Sequence, residues 1–513
     1  MKPKFYLTTP IYYVNGAPHI GHAYTSIASD VLARWKRLDG FDVFFLTGTD
    51  EHGQKVEKAA RDAGVEPQAF ADRVSGDFRD MAARMGISND DFIRTTEERH
   101  KRGCAALWQR LAEAGQIYLG AYEGWYAVRD EAFYGEDELL TLPDGSKVAA
   151  PTGAPVEWVR EPSYFFRLSQ WQGRLLELYE ANPAFIAPPA RRNEVLSFVH
   201  GGLADLSISR TSFAWGIPVP GAPEHVMYVW LDALANYITA MGYPDPTAPR
   251  WRYWPADLHV VGKEIVRFHA VYWPAFLMAA GLAVPRRVYS HGWWTVDGQK
   301  MSKSIGNVID PRELVDRYGL DAVRYFLLRE VPFGNDGDFS RRALVNRLNG
   351  ELANDLGNLA QRSLSLIARN CGGRLPARTA ATPDDTALLA AARALPALLR
   401  ERIDRLAFSE ALEEVWKVVR AANAYIDRQA PWALRKTDPQ RMAGVLRVLV
   451  EGLRCIGTVL QPFMPASMAK LLDQLGVAED ARALSGLATA LEDGAALPAP
   501  VGIFPRHVED ATQ

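Results

Sequence analysis

Cysteine is scarce in this chain, and its scarcity limits the kinds of protein that the sequence can encode. The 513 residues include 3 cysteines, Cys104, Cys371 and Cys455, which lie far apart. Such spacing excludes a disulfide framework and a cysteine-based zinc knuckle, and it is typical of a reducing compartment. We therefore expect a cytoplasmic protein.

The chain also lacks a long apolar run. Residues 270–284 are its most membrane-like stretch, but Pro274 interrupts them, and they fall short of the roughly 18 apolar residues that a membrane span needs. The N-terminus shows no apolar segment followed by a small-residue cleavage site. The sequence thus predicts no membrane span and no signal peptide, and it predicts a buried helix at 270–284.

A strong net charge is the third absence. The formal net charge is −3, charged residues make up 23% of the chain, and hydrophobic residues make up 48%. This composition is ordinary for a globular protein, and its length predicts about two to four domains. A nucleic-acid partner would have to be attracted by a local basic surface.

An early strand–helix–strand pattern predicts an α/β fold with a parallel sheet. Residues 5–9 form a short apolar run, and from Ile20 the apolar positions recur at helical spacing until Gly40, a typical C-cap residue. Residues 42–46 are a second strand-like run. A strand, a crossover helix and another strand imply a parallel sheet covered by helices.

Changes in pattern divide the rest of the chain. Aromatic strand-like pieces alternate with proline and glycine turns after 115, the sheet pattern resumes at 227–230 and 258–262, and amphipathic helical stretches follow 346. We predict a Rossmann-like sheet domain, interrupted by a small α/β insert and followed by a helical bundle and a peripheral, proline-rich tail. The predicted boundaries are 1–114, 115–222, 223–345, 346–487 and 488–513.

Two short motifs suit a triphosphate, although the chain has no P-loop. His19-Ile20-Gly21-His22 lies at a predicted helix start, where free amides and the helix dipole favour an anion. Gly21 keeps side-chain bulk away from a nucleotide. Far downstream, Lys300-Met301-Ser302-Lys303-Ser304 places two ammonium groups on a loop flanked by glycines.

Together these motifs resemble those of class I aminoacyl-tRNA synthetases. Between them, the sequence resembles the methionyl-tRNA synthetase family, and the resemblance extends from 5 to about 465. Its most specific stretches are residues 10–16, 49–53, 228–233 and 262–269. The resemblance implies a methionine–tRNA ligase that uses ATP with Mg²⁺ and charges tRNA(Met).

The resemblance also implies an ATP site. In the family, the two motifs bind ATP and stabilise the transition state of adenylate formation. His19 and His22 would contact adenosine and the phosphates, while Lys300 and Lys303 would neutralise the leaving pyrophosphate. Glu264 matches a position that contacts the ribose. The implied ATP-binding residues are His19, Gly21, His22, Gly262, Glu264, Lys300 and Lys303.

A methionine pocket is implied in the same way. Asp50 would take the substrate ammonium, and Arg210 matches a family arginine near the active centre. Aromatic rings contact a thioether favourably, by about 0.3–1.5 kcal/mol each. A tyrosine hydroxyl and His269 are expected to donate weakly to the sulfur. The side-chain pocket would be lined by Ile11, Tyr13, Trp230, Ala233, Tyr237, Ile265, His269 and Trp273.

The insert departs from the family pattern. Family inserts often carry cysteine zinc knuckles, but residues 120–160 contain no cysteine, so we predict no zinc. The isoleucine, valine and leucine enzymes have larger inserts for editing, whereas the cysteine enzyme needs zinc ligands that are missing here. We expect the insert to be held by packing of its aromatic residues, Trp125, Tyr126, Phe133, Tyr134 and Trp158.

The helical bundle is implied to read the anticodon. Asn358 and Arg362 are four residues apart and share a helix face, and Trp432 offers a ring for stacking an unpaired base. The chain shows no further β-rich module after the bundle, so we expect a monomer.

Two alternatives remain at this point. One is a non-catalytic RNA-binding paralogue, which would be expected to lack a histidine or lysine of the two motifs, although all are present. The other is a nucleotidyltransferase that makes a small adenylylated metabolite, although such chains lack a long helical bundle.

Overall fold

A computed structural model of the chain describes residues 2–296, 298–301 and 307–508. Its strands, in chain order, are β1 (Lys4–Thr8), β2 (Tyr12–Tyr13), β3 (Asp42–Asp50), β4 (Asp91–Arg94), β5 (Ile117–Ala127), β6 (Ala132–Tyr134), β7 (Leu139–Thr141), β8 (Lys147–Ala149), β9 (Glu157–Phe166), β10 (Ile186–Ala187), β11 (Leu206–Ser207), β12 (Ser209–Arg210), β13 (Pro218–Val219), β14 (Ala222–Met227), β15 (Leu258–Gly262), β16 (Val288–His291), β17 (Trp294–Val296), β18 (Gln299–Lys300) and β19 (Gly337–Phe339).

The α-helices are α1 (Ile20–Leu38), α2 (Gln54–Asp62), α3 (Pro67–Arg84), α4 (Glu98–Glu113), α5 (Gln172–Ala181), α6 (Pro189–His200), α7 (Val229–Thr239), α8 (Trp273–Ala279), α9 (Pro311–Tyr318), α10 (Leu320–Arg329), α11 (Arg341–Arg347), α12 (Asn358–Asn370), α13 (Pro383–Asp404), α14 (Phe408–Gln429), α15 (Pro431–Thr437), α16 (Pro439–Leu460) and α17 (Pro465–Gln474). Two π-helical segments are Phe268–Tyr272 and Leu348–Gly357. Short 3₁₀ turns are Glu136–Glu138, Leu168–Trp171, Pro249–Tyr253, Lys263–Ile265, Glu479–Ala481 and Leu484–Ala488.

A 7-stranded sheet lies at the centre of the molecule, in the order β10-β16-β15-β1-β3-β2, and β4 also pairs with β3. Every pair in this sheet is parallel. Because β1 and β3 are joined through α1, the predicted crossover unit is present, and the predicted α/β fold class is confirmed.

Helix α1 shows why the early pattern was informative. His19 is its N-cap, and the helix ends at Leu38 with Gly40 at a φ of +89°, a conformation that glycine adopts without strain. One face of α1 is buried against the sheet and the other against α10 and α3. Its period-3.6 apolar pattern therefore predicted both the helix and the position of its ends.

The insert is built on a long antiparallel hairpin. Strand β5 pairs with β9 over ten residues, flanked by β6 and β11, while β7 and β8 form a separate ribbon. Its small separate core centres on Ala127, Ala149 and Ala154. Tyr126 is buried, but Trp158 is 50% exposed, so the predicted aromatic packing holds for only part of the set.

Two predictions about the sheet were wrong. Residues 227–230 do not restart it, because β14 belongs to a small antiparallel sheet and Val229 begins helix α7. An apolar run that is buried on every side has the same composition in a strand and in a helix, so periodicity did not separate them. The central sheet instead gains β10, which lies inside the region predicted as insert. The strand predicted at 258–262 is β15, and it joins the central sheet as expected.

After residue 346 the described chain is helical, as predicted, and its apolar core is continuous with that of α1 and α10. The final segment was predicted to be peripheral, but its described part, up to residue 508, packs against the bundle. Ile503 is buried, the backbone N–H of Val501 donates to Gln474, and that of His507 donates to Asn349.

The predicted helix at 270–284 is shorter than expected. The π segment Phe268–Tyr272 leads into α8, which ends at Ala279, and both are largely buried. In the described part of the chain, no helix is both long enough and apolar enough to cross a membrane.

Candidate active site

The first histidine motif lies beside the carboxyl ends of the central strands. The Nδ1 atom of His19 accepts from the N–H of Gly21 at 3.1 Å, and the Nδ1 atom of His22 accepts from the N–H of His19 at 3.1 Å. The two rings are 3.9 Å apart. A Cβ on Gly21 would approach the His19 ring to 2.9 Å, so glycine lets that ring fold over the helix start.

Backbone contacts bring the two motif regions together. The N–H of Ile20 donates to the carbonyl of Ile309 at 3.1 Å, and Ile309 follows the lysine motif by only a few residues. Lys300 lies in β18, which pairs with β17 in a hairpin. Lys303 lies outside the described residues. The start of α1 therefore contacts the segment that follows the lysine motif.

Strand β15 ends at the same edge. Gly262 closes the strand, and a Cβ there would lie 2.5 Å from a carboxylate oxygen of Glu264. Glu264 accepts from the indole N–H of Trp293 at 2.6 Å. Lys263 pairs with Asp336 at 2.5 Å. The sequence singled out Glu264 but not Lys263 or Asp336, whose pairing joins positions 73 residues apart.

The side chains predicted to bind methionine form one aromatic wall beside this edge. Trp230, Ala233 and Tyr237 share one face of α7. Tyr13 pairs with Asp50 across β2 and β3. Ile11, Tyr13, Trp230 and Ile265 pack against one apolar cluster that also contains Tyr237 and Trp273.

A tyrosine hydroxyl and His269 were expected to donate hydrogen bonds to a thioether sulfur, but in this structure their hydrogen bonds go to other groups. The Nδ1 atom of His269 lies 2.9 Å from the carbonyl of Ile265, which can only accept, so this nitrogen carries the proton. The Nε2 atom then accepts from the Tyr237 hydroxyl at 2.7 Å. Both donors are thus committed within the wall in this structure. Burial lowers the pKa of His269 to about 4, which keeps the ring neutral.

Asp50 has a buried carboxylate oxygen that is free to accept a hydrogen bond. It is 6% exposed, and its Oδ1 atom is buried without a hydrogen bond to any described residue. Burial raises the pKa of Asp50 well above its ordinary value, and the charges of Asp232, Glu131 and Glu51 add to the effect. The Nε1 atom of Trp230 is likewise buried without a described partner. The site thus offers an unused acceptor and an unused donor.

Asp232 is a functional candidate that the sequence argument missed. Its carboxylate is fully buried and accepts from His52 at 2.6 Å and from His100 at 2.7 Å. Although burial alone would raise the pKa of Asp232, the two histidines lower it to about 2. The residue lies in the specific stretch 228–233, but its partners come from β3 and α4, which only the fold brings together.

Glu131 was also missed. It lies in the insert, is 5% exposed and has a φ of +50°, which is unusual for a residue with a side chain. Its carboxylate accepts from the hydroxyls of Tyr13 at 2.9 Å and Tyr126 at 2.5 Å. The insert therefore contacts the pocket directly through this residue.

Arg210 lies between the insert and β14. Its guanidinium lies 4.1 Å from the ring centre of Phe133 and 4.9 Å from that of Tyr126. It is 3.6 Å from Glu161 and donates to the carbonyl of Ser209. These contacts place Arg210 at the base of the insert, among aromatic rings.

A second candidate site lies on the helical bundle. The Arg362 guanidinium is 5.3 Å from the ring centre of Trp432, which is 46% exposed, and it pairs with Asp427 at 2.7 Å. Asn358 is exposed at the start of α12, one turn before Arg362. A cavity of about 380 Å³ beside them is lined by Gln361, Arg362, Ser365, Leu366, Arg369 and Trp432.

The insert does not offer a zinc donor set, since residues 120–160 contain neither cysteine nor histidine. In the described part of the chain, His100, Cys104 and Asp232 are the one group with donor atoms close enough to share a metal ion. These atoms are already joined by hydrogen bonds, and the group lies outside the insert. The residues of the insert therefore do not fit a structural zinc.

Known families match both parts of the chain. A family model described as tRNA synthetases class I (M) matches residues 5–364, and one described as the anticodon binding domain of methionyl tRNA ligase matches residues 375–513. The chain belongs to the methionyl-tRNA synthetase family. The methionine–tRNA ligase of Brucella suis is 58% identical to this synthetase over 509 residues, which is 99% of either chain. That of Rickettsia felis is 56% identical over 515 residues, covering 99% of this chain and 100% of its own.

Solved structures are similar over the same length. Mycobacterium tuberculosis methionyl-tRNA synthetase in complex with methionyl-adenylate has a TM-score of 0.97 and 53% identity, covering 99% of this synthetase and 100% of that chain. The apo form from the same organism has a TM-score of 0.91 and 49% identity, covering 99% of each chain. The predicted family and the predicted enzyme class, an aminoacyl-tRNA ligase for methionine, are confirmed by these matches.

Proposed function

We propose that this synthetase charges tRNA(Met) in two steps at the carboxyl edge of its central sheet. A carboxylate oxygen of methionine attacks the α-phosphorus of ATP, and the bond to the β-phosphate breaks to release pyrophosphate. A hydroxyl of the terminal tRNA ribose then attacks the carbonyl carbon of methionyl-adenylate, and AMP leaves. The relatives named above are methionine–tRNA ligases, and one was solved with methionyl-adenylate.

The hydrogen bond between Ile20 and Ile309 is the observation that carries this proposal. It joins the start of the helix that follows His19 to the segment that follows Lys303. Two cationic or hydrogen-bonding groups 281 positions apart, such as His19 and Lys300, can act on one triphosphate only if the fold brings their segments together. We assign the ATP site to His19, Gly21, His22, Gly262, Glu264, Lys300 and Lys303.

In this assignment the histidines act on the substrate before the lysines do. His19 and His22 hold adenosine and the phosphates at the N-terminus of α1, where free amides favour an anion. Lys300 and Lys303 neutralise charge that develops on pyrophosphate as the bond breaks, which stabilises the transition state rather than the bound substrate. Mg²⁺ arrives with the phosphates of ATP.

Methionine binds the aromatic wall in this proposal. Its ammonium pairs with the unused carboxylate oxygen of Asp50. This pairing is strongly favoured, because a buried acceptor without a partner is costly. Its side chain packs on Ile11, Tyr13, Trp230, Ala233, Tyr237, Ile265, His269 and Trp273. Arg210 acts near this centre by fixing the base of the insert.

The bundle reads the tRNA anticodon in this proposal. Trp432 stacks on an unpaired base, and Arg362 and Asn358 contact the bases or phosphates beside it. We assign residues 1–114 and 223–345 to the catalytic domain, together with β10, which pairs with β16 in the central sheet. The rest of 115–222 is assigned to a zinc-free insert, 346–487 to anticodon binding and 488–513 to a tail that packs against the bundle as far as residue 508. The enzyme acts as a monomer in the cytoplasm, where its three unpaired cysteines stay reduced.

Charging of total tRNA with each labelled amino acid tests this function. We expect methionine alone to be attached, and only to tRNA that carries the methionine anticodon. Binding of tRNA without charging would favour the RNA-binding paralogue, and adenylylation of a small metabolite without charging would favour the nucleotidyltransferase. His19→Ala provides the inactive control.

A further inference from the structure

A fully buried histidine that the proposed mechanism does not use lies behind the methionine wall. His259 is in β15 and is 0% exposed. Its ring stacks on Tyr237 with 4.1 Å between ring centres. Its Nδ1 atom lies 2.8 Å from the hydroxyl of Thr8, and its Nε2 atom lies 3.3 Å from the indole nitrogen of Trp273. One imidazole thus contacts two residues of the wall.

The donors around His259 fix its tautomer. The indole N–H of Trp273 can only donate, so the Nε2 atom of His259 must accept. The one proton of the neutral ring is then on Nδ1, where it is donated to Thr8. Burial, together with the nearby His269, holds the pKa of His259 well below its ordinary value. The ring is therefore neutral and held in one orientation.

Hydrogen bonds connect the methionine wall to the residues that lie behind it. Tyr237 donates to His269, and His269 donates to Ile265. Trp273 donates to His259, and His259 donates to Thr8 on the neighbouring strand β1. The rings that face a substrate side chain are thereby tied to the rigid centre of the sheet.

Packing alone does not account for a histidine here. The neighbours of His259 along the strand, Leu258 and Val260, are buried apolar residues. A phenylalanine in place of His259 could fill the same space and keep the stack on Tyr237. A buried imidazole gives up its hydration, which is costly unless both nitrogens gain partners. Both nitrogens of His259 have partners, and each partner fixes the direction of the ring.

We propose that His259 is a positioning residue for methionine recognition, which holds Tyr237 by stacking and Trp273 by accepting its indole N–H. This inference rests on the proposed function, because it takes Tyr237 and Trp273 to line the methionine site. His259 sets the shape of the wall and does not touch the substrate itself.

Kinetics of methionine-dependent pyrophosphate exchange test the proposal. His259→Phe keeps the stack but loses both hydrogen bonds, so KM for methionine should rise about ten-fold, the size of effect expected for lost hydrogen bonds at a buried site. KM for ATP and kcat should stay near the unmodified enzyme. His259→Gln, whose amide oxygen can still accept from Trp273, should recover part of the loss.

A double-mutant cycle locates the effect. The free-energy effects of His259→Phe and Trp273→Phe, calculated from KM for methionine, should sum to more than the effect of the double variant, because each substitution removes the same hydrogen bond. Thr8→Val should raise KM for methionine in the same direction by freeing the other side of the ring. His225→Phe is the matched control, since His225 is also buried, meets the Tyr164 ring edge-to-face with 5.0 Å between ring centres, and bonds to Ser209 away from the wall. It should leave KM for methionine unchanged.

The outcomes separate this inference from the proposed function. If the unmodified enzyme shows no methionine-dependent exchange, the proposed function fails. If it does, and His259→Gln and Thr8→Val both keep the original KM for methionine, the positioning role is wrong. A rise in KM for ATP equal to that for methionine would also overturn it. If His259→Phe fails to fold, KM for methionine of Thr8→Val and of His259→Gln tests the positioning role.

Discussion

Arg324 and Asp30 form an ion pair that is closed to solvent at the junction of the sheet domain and the helical bundle. Their 2.6 Å contact joins two side chains that are each 0% exposed. The guanidinium also donates to the carbonyls of Met85, Pro462 and Phe463. A single arginine on α10 thus ties the helix of the histidine motif to the bundle.

Removal of this arginine should destabilise the protein strongly. Arg324→Met takes the buried guanidinium away from Asp30, which keeps Arg34 and Ser88, and it also leaves three buried carbonyls without their donor. The free energy of unfolding should therefore fall by about 3–5 kcal/mol. Denaturant titration measures the loss. Arg84→Ala, which breaks an exposed pair with Asp316, should cost at most about 1 kcal/mol. A loss for Arg324→Met no larger than that of the control would show that the junction does not depend on the pair.

Asp50→Asn should weaken methionine binding and leave ATP binding alone. The amide keeps the shape but cannot pair with an ammonium, and a lost hydrogen bond between charged groups predicts a rise in KM for methionine of about ten- to a hundred-fold. Burial raises the pKa of Asp50, so any proton on the free carboxyl must leave when the ammonium binds. Binding of methionine should therefore strengthen as pH rises through that pKa.

Calorimetry in two buffers of different ionisation enthalpy checks this proton release. The matched control is Asp72→Asn, whose half-exposed carboxylate pairs with Arg94. Exchange kinetics of Asp50→Asn that equal those of the control would remove Asp50 from the site.

Lys303→Ala should slow adenylate formation far more than it weakens methionine binding. The ammonium interacts with charge that develops on the leaving pyrophosphate, so its loss should lower kcat by about a hundred-fold or more. Single-turnover formation of methionyl-adenylate and equilibrium binding of methionine separate the two quantities. Lys470→Ala, at an exposed position of the bundle, is the control. An equal loss in both quantities for Lys303→Ala would contradict the assignment.

Trp432→Ala should weaken charging of tRNA and spare the tRNA-independent exchange reaction. A lost stacking contact costs about 1–3 kcal/mol in tRNA recognition. Trp432→Phe keeps an aromatic ring and should recover most of the activity. Charging that is unaffected by Trp432→Ala, or a bundle that unfolds, would show that this tryptophan is a packed corner rather than a base-stacking platform.

The sequence predicted the parts of the fold in which local pattern and burial agree. The spacing from Ile20 to Leu38 predicted α1, and the short apolar runs at 5–9 and 42–46 predicted β1 and β3. It failed at 227–230, because a run that is buried on every side carries no period. It also failed at the tail, because the apolar residues that pack there, Leu497, Ile503 and Phe504, lie among prolines and glycines without a helical or strand period.

The candidate site divides in the same way. Motifs with fixed spacing, such as His19 with His22, could be recognised from the sequence, although their roles stay predictions. Contacts that join distant segments could not be recognised from the sequence. Glu131 reaches Tyr13 across 118 residues, and His52 reaches Asp232 across 180. Their side chains meet only because the insert and α7 pack on the same edge of the sheet.

The central claim is that this edge activates methionine with ATP. Exchange of labelled pyrophosphate into ATP, measured with each amino acid in the absence of tRNA, tests it most directly. We expect exchange with L-methionine and none above background with isoleucine, valine, leucine or cysteine. Exchange that requires a different amino acid, or no exchange with methionine from folded enzyme, would contradict it.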